Sequence, residues 1–171
     1  MSLTEGKNIL VYVETADGAP AGPALEILAK AKELAHAKGE EVIAAVLEKE
    51  PEEAAKTAIE AGADKAVIVK TEEKRAEVRA AMLAKLVEKY TPAVVLAAAT
   101  QEGKDIAPLT AKKFDAGCAV DVMNIVADGE QYILTCPVYG GNILNDVVLK
   151  TLPVVATVRG GSFAKEIEAG K

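Results

Sequence analysis

The chain has 171 residues, half of them hydrophobic and only 4% aromatic, with 26 acidic against 20 basic side chains and a formal net charge of −6. That balance repels a phosphate backbone, and with no Lys/Arg cluster to offset it, nucleic acid is excluded as a partner. Cys118 and Cys136 are too few for a disulfide framework and, beside the single His36, lack the spacing of a zinc site, so both read as reduced, mostly buried thiols.

The length suits one compact domain whose core is built from Val, Ile, Leu and Ala. No run approaches the roughly 18 apolar residues that span a bilayer, and MSLTEGKN lacks the apolar stretch of a secretory signal, so no membrane insertion and a cytoplasmic location are expected. Residues 1–3 read as a leader outside the fold.

In chain order, four β-branched runs at residues 8–14, 41–47, 65–70 and 93–99 alternate with helical patterns, the signature of parallel βαβ units. Between the first two, Ile27, Leu28, Ala31, Leu34 and Ala35 recur with a period near 3.6, after Pro23 at a helix start and before Gly39 at a C-cap. The opposite face carries Glu26, Lys30, Lys32, Glu33 and His36, which points the histidine into solvent without the partners a catalytic base needs. A short helix over 51–61 is closed by Gly62, and a longer one over 73–90 presents Met82, Leu83, Leu86, Val87 and Tyr90 before Thr91-Pro92 ends it. That apolar stripe reads as core.

After Phe114 the pattern changes to strands at 119–126, 131–137, 143–150 and 154–158, with Asp128-Gly129 and Gly140-Gly141 as tight turns. These segments are expected to add antiparallel strands or a hairpin to the sheet. The fold class is therefore α/β: a doubly wound, mainly parallel sheet, Rossmann-like or adenine nucleotide alpha hydrolase-like, with additional antiparallel strands after residue 117.

Right-handed crossovers place the ligand crevice of such a sheet beside its first strand, between the loops at 14–23 and 100–105. The stretch LAAATQEGKDIAPLTAKKF opens a helix there, with Thr100, Gly103, Lys104 and Asp105 as the candidate cofactor-binding residues. Free amides and a lysine suit a phosphate, whereas Glu102 and Asp105 work against one, and the glycine and Ser/Thr of a Walker A loop are missing. In the other reading, Thr100 or Asp105 caps the helix and Gly103 makes the turn. There is no G-x-G-x-x-G, no Gly-x-Ser-x-Gly elbow, and no arranged nucleophile, base or metal cluster, so no catalytic residue is assigned and no enzyme activity is expected.

Taken in order, ILVYVE, ALEILAKAKELA, AIEAGADKAVIV, ATQEGKDIAPLTAKKF, the Asp121-Val122 pair, PVYGGN and VATVRGGSF resemble the N-terminal domain of the electron transfer flavoprotein alpha subunit over roughly residues 7–163. The resemblance implies a heterodimeric electron carrier, pairing with a beta subunit and passing electrons from dehydrogenases to an acceptor. It implies FAD in the complete complex, held chiefly by a second domain that this sequence is expected to lack. Residues 1–163 would be the scaffold and beta-subunit interface, and 164–171 a tail or the start of a linker. In the related beta subunit the equivalent fold holds AMP or a second flavin, and the alpha domain is its empty counterpart. Two positions depart from the family: Leu109 and Cys136 stand where arginine is common. The alternative is a stand-alone adenine-nucleotide-binding module, for which AMP is the expected ligand and a homodimer the expected assembly.

Overall fold

The computed structural model describes residues 2–167. Six strands form one all-parallel sheet: β1 (Ile9–Val13), β4 (Val42–Glu48), β5 (Lys65–Lys70), β6 (Val94–Ala98), β7 (Cys118–Val122) and β11 (Val154–Val158), in the order β5-β4-β1-β6-β11-β7. The chain leaves β1 through α1 (Gly22–Lys38), continues outward through β4, α2 (Glu52–Glu60) and β5, then returns over α3 (Ala76–Tyr90) to lay β6 on the other side of β1. A two-stranded ribbon, β2 (Thr15–Ala16) with β3 (Ala19–Pro20), follows β1, and α4 (Gln101–Lys113) joins β6 to β7.

Strand periodicity explains the layering. On β1, Ile9, Val11 and Val13 face one core with α1 and α2, and Leu10 and Tyr12 face a second with α3 and α4. Because both faces are covered, β1, β6 and β11 are buried along their whole length and read as continuous apolar runs rather than alternating ones.

The strands after residue 117 depart from expectation in their arrangement. β7 and β11 join the main sheet in parallel, with β11 between β6 and β7, while β8 (Asn124–Asp128), β9 (Gln131–Val138) and β10 (Ile143–Val148) form a separate antiparallel sheet. The run at 119–126, expected as one strand, is two, split at Met123. The cause is Asp121, which takes a left-handed conformation at φ 60° while the Arg159 guanidinium grips its carboxylate through Nε at 3.1 Å and through Nη2. A left-handed residue re-aims the chain out of the sheet, and aspartate tolerates it better than most. The two turns form as the sequence signals, joining β8 to β9 through Gly129 and β9 to β10 through Gly140 and Gly141, all at positive φ.

Three smaller expectations are corrected. Glu26 is not on a solvated face: it is buried, and its carboxylate accepts the Gly161 N–H at 2.7 Å, tying the segment after β11 across α1. Leu3 belongs to the fold, bridging to Leu152 and packing on the second core. Helix α3 starts at Ala76 because Glu73 accepts the amides of Lys74 and Arg75 in a local turn instead. His36 is exposed, as its helix position requires, and the Cys118 and Cys136 thiols are free and half-buried. Residues 168–171 of the expected tail and Met1 of the expected leader lie outside the described residues.

Leu83 is fully buried in the second core whereas Leu144 is 57% exposed on β10. Leu83→Ala is expected to cost about 2–5 kcal/mol in urea unfolding, and Leu144→Ala less than about 0.5 kcal/mol. Equal losses at the two positions would contradict this division between core and uncovered face.

Candidate functional site

The strand order reverses between β1 and β6, so the crevice of the sheet opens between Glu14, which follows β1, and Thr100, which caps α4 after β6. The two loops are tied together. The Thr100 hydroxyl accepts the Gly103 N–H at 3.0 Å, as an N-cap does, and donates its own proton to Glu14 Oε2 at 2.5 Å.

Gly103 is buried, and a Cβ placed on it would lie 1.8 Å from the Ala98 carbonyl oxygen. The glycine therefore lets α4 sit directly on the end of β6. Lys104 and Asp105 are exposed on the outer side of the first turn. Lys104 contributes a positive field at Asp121, whose carboxyl is held below its usual range chiefly by Arg159, and Asp105 accepts both hydrogen bonds of the Gln101 amide at 3.1 Å. Of the four candidate residues, Thr100 and Gly103 meet at one point and the other two lie apart from it.

Sequence reasoning missed the cluster beside them. Tyr12 on β1, Arg79 on α3 and Glu102 on α4 converge at the crevice: the Tyr12 hydroxyl donates to Glu102 Oε1, and Arg79 Nε stands 3.7 Å from the same oxygen. Burial, then the hydrogen bond to Glu102, pushes the Tyr12 phenol well above its usual range. A signal existed, because Arg79 falls one turn before Leu83 on the apolar stripe of α3, where a charge is buried if the stripe is. A third tie lies at the end of β4: Thr15 donates to Glu48 Oε2 at 2.6 Å, and this bond, with help from the Lys49 amide and Lys74, brings the Glu48 carboxyl down to about 2.

Among the described residues no group of three or more His, Cys, Asp or Glu could hold a metal ion, and no helix is long and apolar enough to cross a membrane. Leu109 is exposed on α4 and Cys136 half-buried on β9, where burial pushes its thiol up.

The family model described as the electron transfer flavoprotein domain matches residues 9–171. The chain belongs to the electron transfer flavoprotein domain family. It is similar to the electron transfer flavoprotein subunit alpha of Clostridium acetobutylicum, at 30% identity over 171 residues covering 96% of this chain and 51% of that protein. It is also similar to the lactate dehydrogenase (NAD(+),ferredoxin) subunit LctC of Acetobacterium woodii, at 29% identity over 90% of this chain and 38% of that protein. The acryloyl-CoA reductase electron transfer subunit beta of Anaerotignum propionicum is 24% identical over 93% of this chain and 51% of its own length. The chain spans about half the length of most of the curated relatives it matches. Of these three relatives, two carry electron transfer in their names, those of Clostridium acetobutylicum and Anaerotignum propionicum.

Two measurements check the geometry of the site. Gly103→Ala should destabilise the domain by about 1–3 kcal/mol or prevent its expression, since backbone rather than a movable side chain meets the new methyl; calorimetry reads this directly. Because the Glu48 carboxyl is lowered from its ordinary 4.5 to about 2, its contribution to stability is complete above about pH 4.5 and fades as pH falls toward 2. Thermal unfolding followed from pH 6 to pH 2 should therefore fall less steeply in Glu48→Gln than in the wild type.

Proposed function

We propose that this domain is the N-terminal domain of an electron transfer flavoprotein alpha subunit, with residues 1–163 acting as scaffold and as the interface for a beta subunit. The observation that carries this reading is the uncovered face of the small sheet. In the registers of β8, β9 and β10, Val126, Ile133 and Val148 form one cross-strand row and Pro137 and Leu144 another on the outer face, while Ile125, Leu134 and Val147 pack inward. Val126, Leu144 and Val148 are exposed, and Tyr139 at the turn between β9 and β10 is 79% exposed. Between the two apolar rows runs the polar row of Asn124, Thr135 and Asp146, in which the Thr135 hydroxyl donates to Asp146 Oδ1 at 2.7 Å. Exposed apolar rows framing a polar one suit a partner's surface, and an exposed tyrosine at the rim suits an interface anchor.

In this reading the complete complex is a cytoplasmic electron carrier, not a classical enzyme, which takes electrons from dehydrogenases and delivers them to an acceptor with FAD as the redox group. FAD supplies the electron-accepting chemistry when the whole complex is assembled; this chain supplies the surface on which the complex forms. The crevice itself does not fit a nucleotide phosphate, because Glu14 and Glu102 stand at the capped start of α4 and the Thr100 hydroxyl is already committed on both sides. Thr100, Gly103, Lys104 and Asp105 then serve to seat α4 on β6 and to shape the surface around it.

Co-expression with a beta subunit encoded nearby should yield a complex on affinity capture, and Leu144→Asp should reduce its recovery at least tenfold while leaving thermal stability unchanged. Failure of both full-length partners to associate would overturn the assignment. Mass spectrometry of small molecules released on denaturation of the isolated domain should find neither AMP nor FAD. Near-stoichiometric nucleotide would favour a stand-alone, homodimeric adenine-nucleotide module instead.

A further inference from the structure

Arg79 is only 2% exposed and is the largest fully buried side chain among the described residues. Its guanidinium donates to the carbonyl oxygens of Leu47, through Nη2 at 2.6 Å, and Glu73, through Nη1 at 3.4 Å, and its Cζ stands 5.7 Å from the centroid of the Tyr12 ring. These partners are uncharged, so they satisfy donors without cancelling the charge. Nε is completely buried and makes no hydrogen bond.

The carboxylate that answers this charge is Glu102, and it does so at the wrong length for a hydrogen bond: Oε1 is 3.7 Å from Nε while accepting the Tyr12 hydroxyl proton. Glu102 also lies in the first turn of the 13-residue α4, where the helix dipole favours negative charge, and its side chain is one-third exposed, so its carboxylate sits between the buried guanidinium and water. Three sources of positive potential or donated protons, namely Arg79 Nε–H, Tyr12 O–H and the start of α4, therefore meet where one carboxylate stands, and that carboxylate leaves one buried donor unused.

We propose that the β1/β6 crevice contains an oxyanion site that the chain fills with its own Glu102 carboxylate, and that Glu102 is the residue that keeps a phosphate group out. A phosphate presents more acceptor oxygens than a carboxylate tethered from α4 and could accept from Arg79 and Tyr12 together once that tether is gone. The inference deepens the reading of an empty crevice by naming what occupies it, and it does not depend on the beta subunit.

Wild type, Glu102→Ala, Glu102→Ser, Glu102→Gln and the double variant Glu102→Ala/Arg79→Met are unfolded thermally in inorganic phosphate, in AMP, and in sodium chloride of matched ionic strength. Wild type should show the same midpoint in all three. Glu102→Ala should rise saturably with phosphate, by roughly 3–6 °C at ten times its dissociation constant, and the double variant should lose that rise. Should Glu102→Ala fail to fold, Glu102→Ser, which also vacates the carboxylate's place, should show the same phosphate-specific rise, whereas Glu102→Gln, whose amide stays in that place and keeps an acceptor for Tyr12, should show none. A further gain with AMP would identify a nucleotide phosphate rather than free phosphate as the matching ligand. Phosphate stabilisation of the wild type equal to that of Glu102→Ala or Glu102→Ser, or no phosphate-specific rise in whichever of these two folds, would overturn the proposal whether or not the beta subunit binds.

Discussion

Strand β1 sets the terms for the rest of the domain. Its five residues are fully buried, paired in parallel to β4 on one edge and β6 on the other, with a helix layer on each face. A strand so placed cannot reach its neighbours by hairpins, since parallel pairing requires a crossover, and right-handed crossovers in two directions place helices on both faces. The crevice at the carboxyl end of β1 is the geometric remainder of that reversal, and the residues best placed to act follow from it.

What lines the crevice edge is a set of hydroxyl–carboxylate pairs: Tyr12 with Glu102, Thr100 with Glu14, and Thr15 with Glu48. Each hydroxyl donates to an acid on a different segment, so the pairs fasten α4 to β1, the loop after β1 to the start of α4, and the β2–β3 ribbon to the end of β4. The carboxyl edge is thus stitched together by its own acids. An edge of this kind holds its loops in place while presenting negative charge where other members of the same architecture would receive an anion.

The second half of the domain turns on the junction of β7 with β11, where strand pairing, the Asp121–Arg159 ion pair and the Asp121 N–H donating to Thr157 Oγ1 meet. Asp121 and Arg159 bring the end of β7 against the end of β11, and the left-handed turn at Asp121 sends the chain off into β8, β9 and β10 before β11 returns to the middle of the sheet. The inner face of that excursion extends the first core through Ile125, Tyr132 and Leu134, and the outer face is left open, with apolar rows on either side of the Thr135–Asp146 pair. The left-handed turn at Asp121 therefore sets the small antiparallel sheet apart from the parallel body.

The sequence by itself determined the parallel half, the apolar stripes of the helices, both hairpin turns and the family, because these rest on local periodicity, turn chemistry and motif order. It also placed Thr100 and Gly103 at the crevice. Only the tertiary structure decided that the run at 119–126 is divided between two sheets, since the Arg159 that bends it lies nearly forty residues away in sequence. For the same reason Glu26, a charge on an apparently solvated stripe, becomes a buried anchor once the segment after β11 crosses it. The cluster of Tyr12, Arg79 and Glu102 was legible only in part: Arg79 on the apolar stripe of α3 signals a buried charge, but only the packing of β1, α3 and α4 brings a phenol, a guanidinium and a carboxylate to one point.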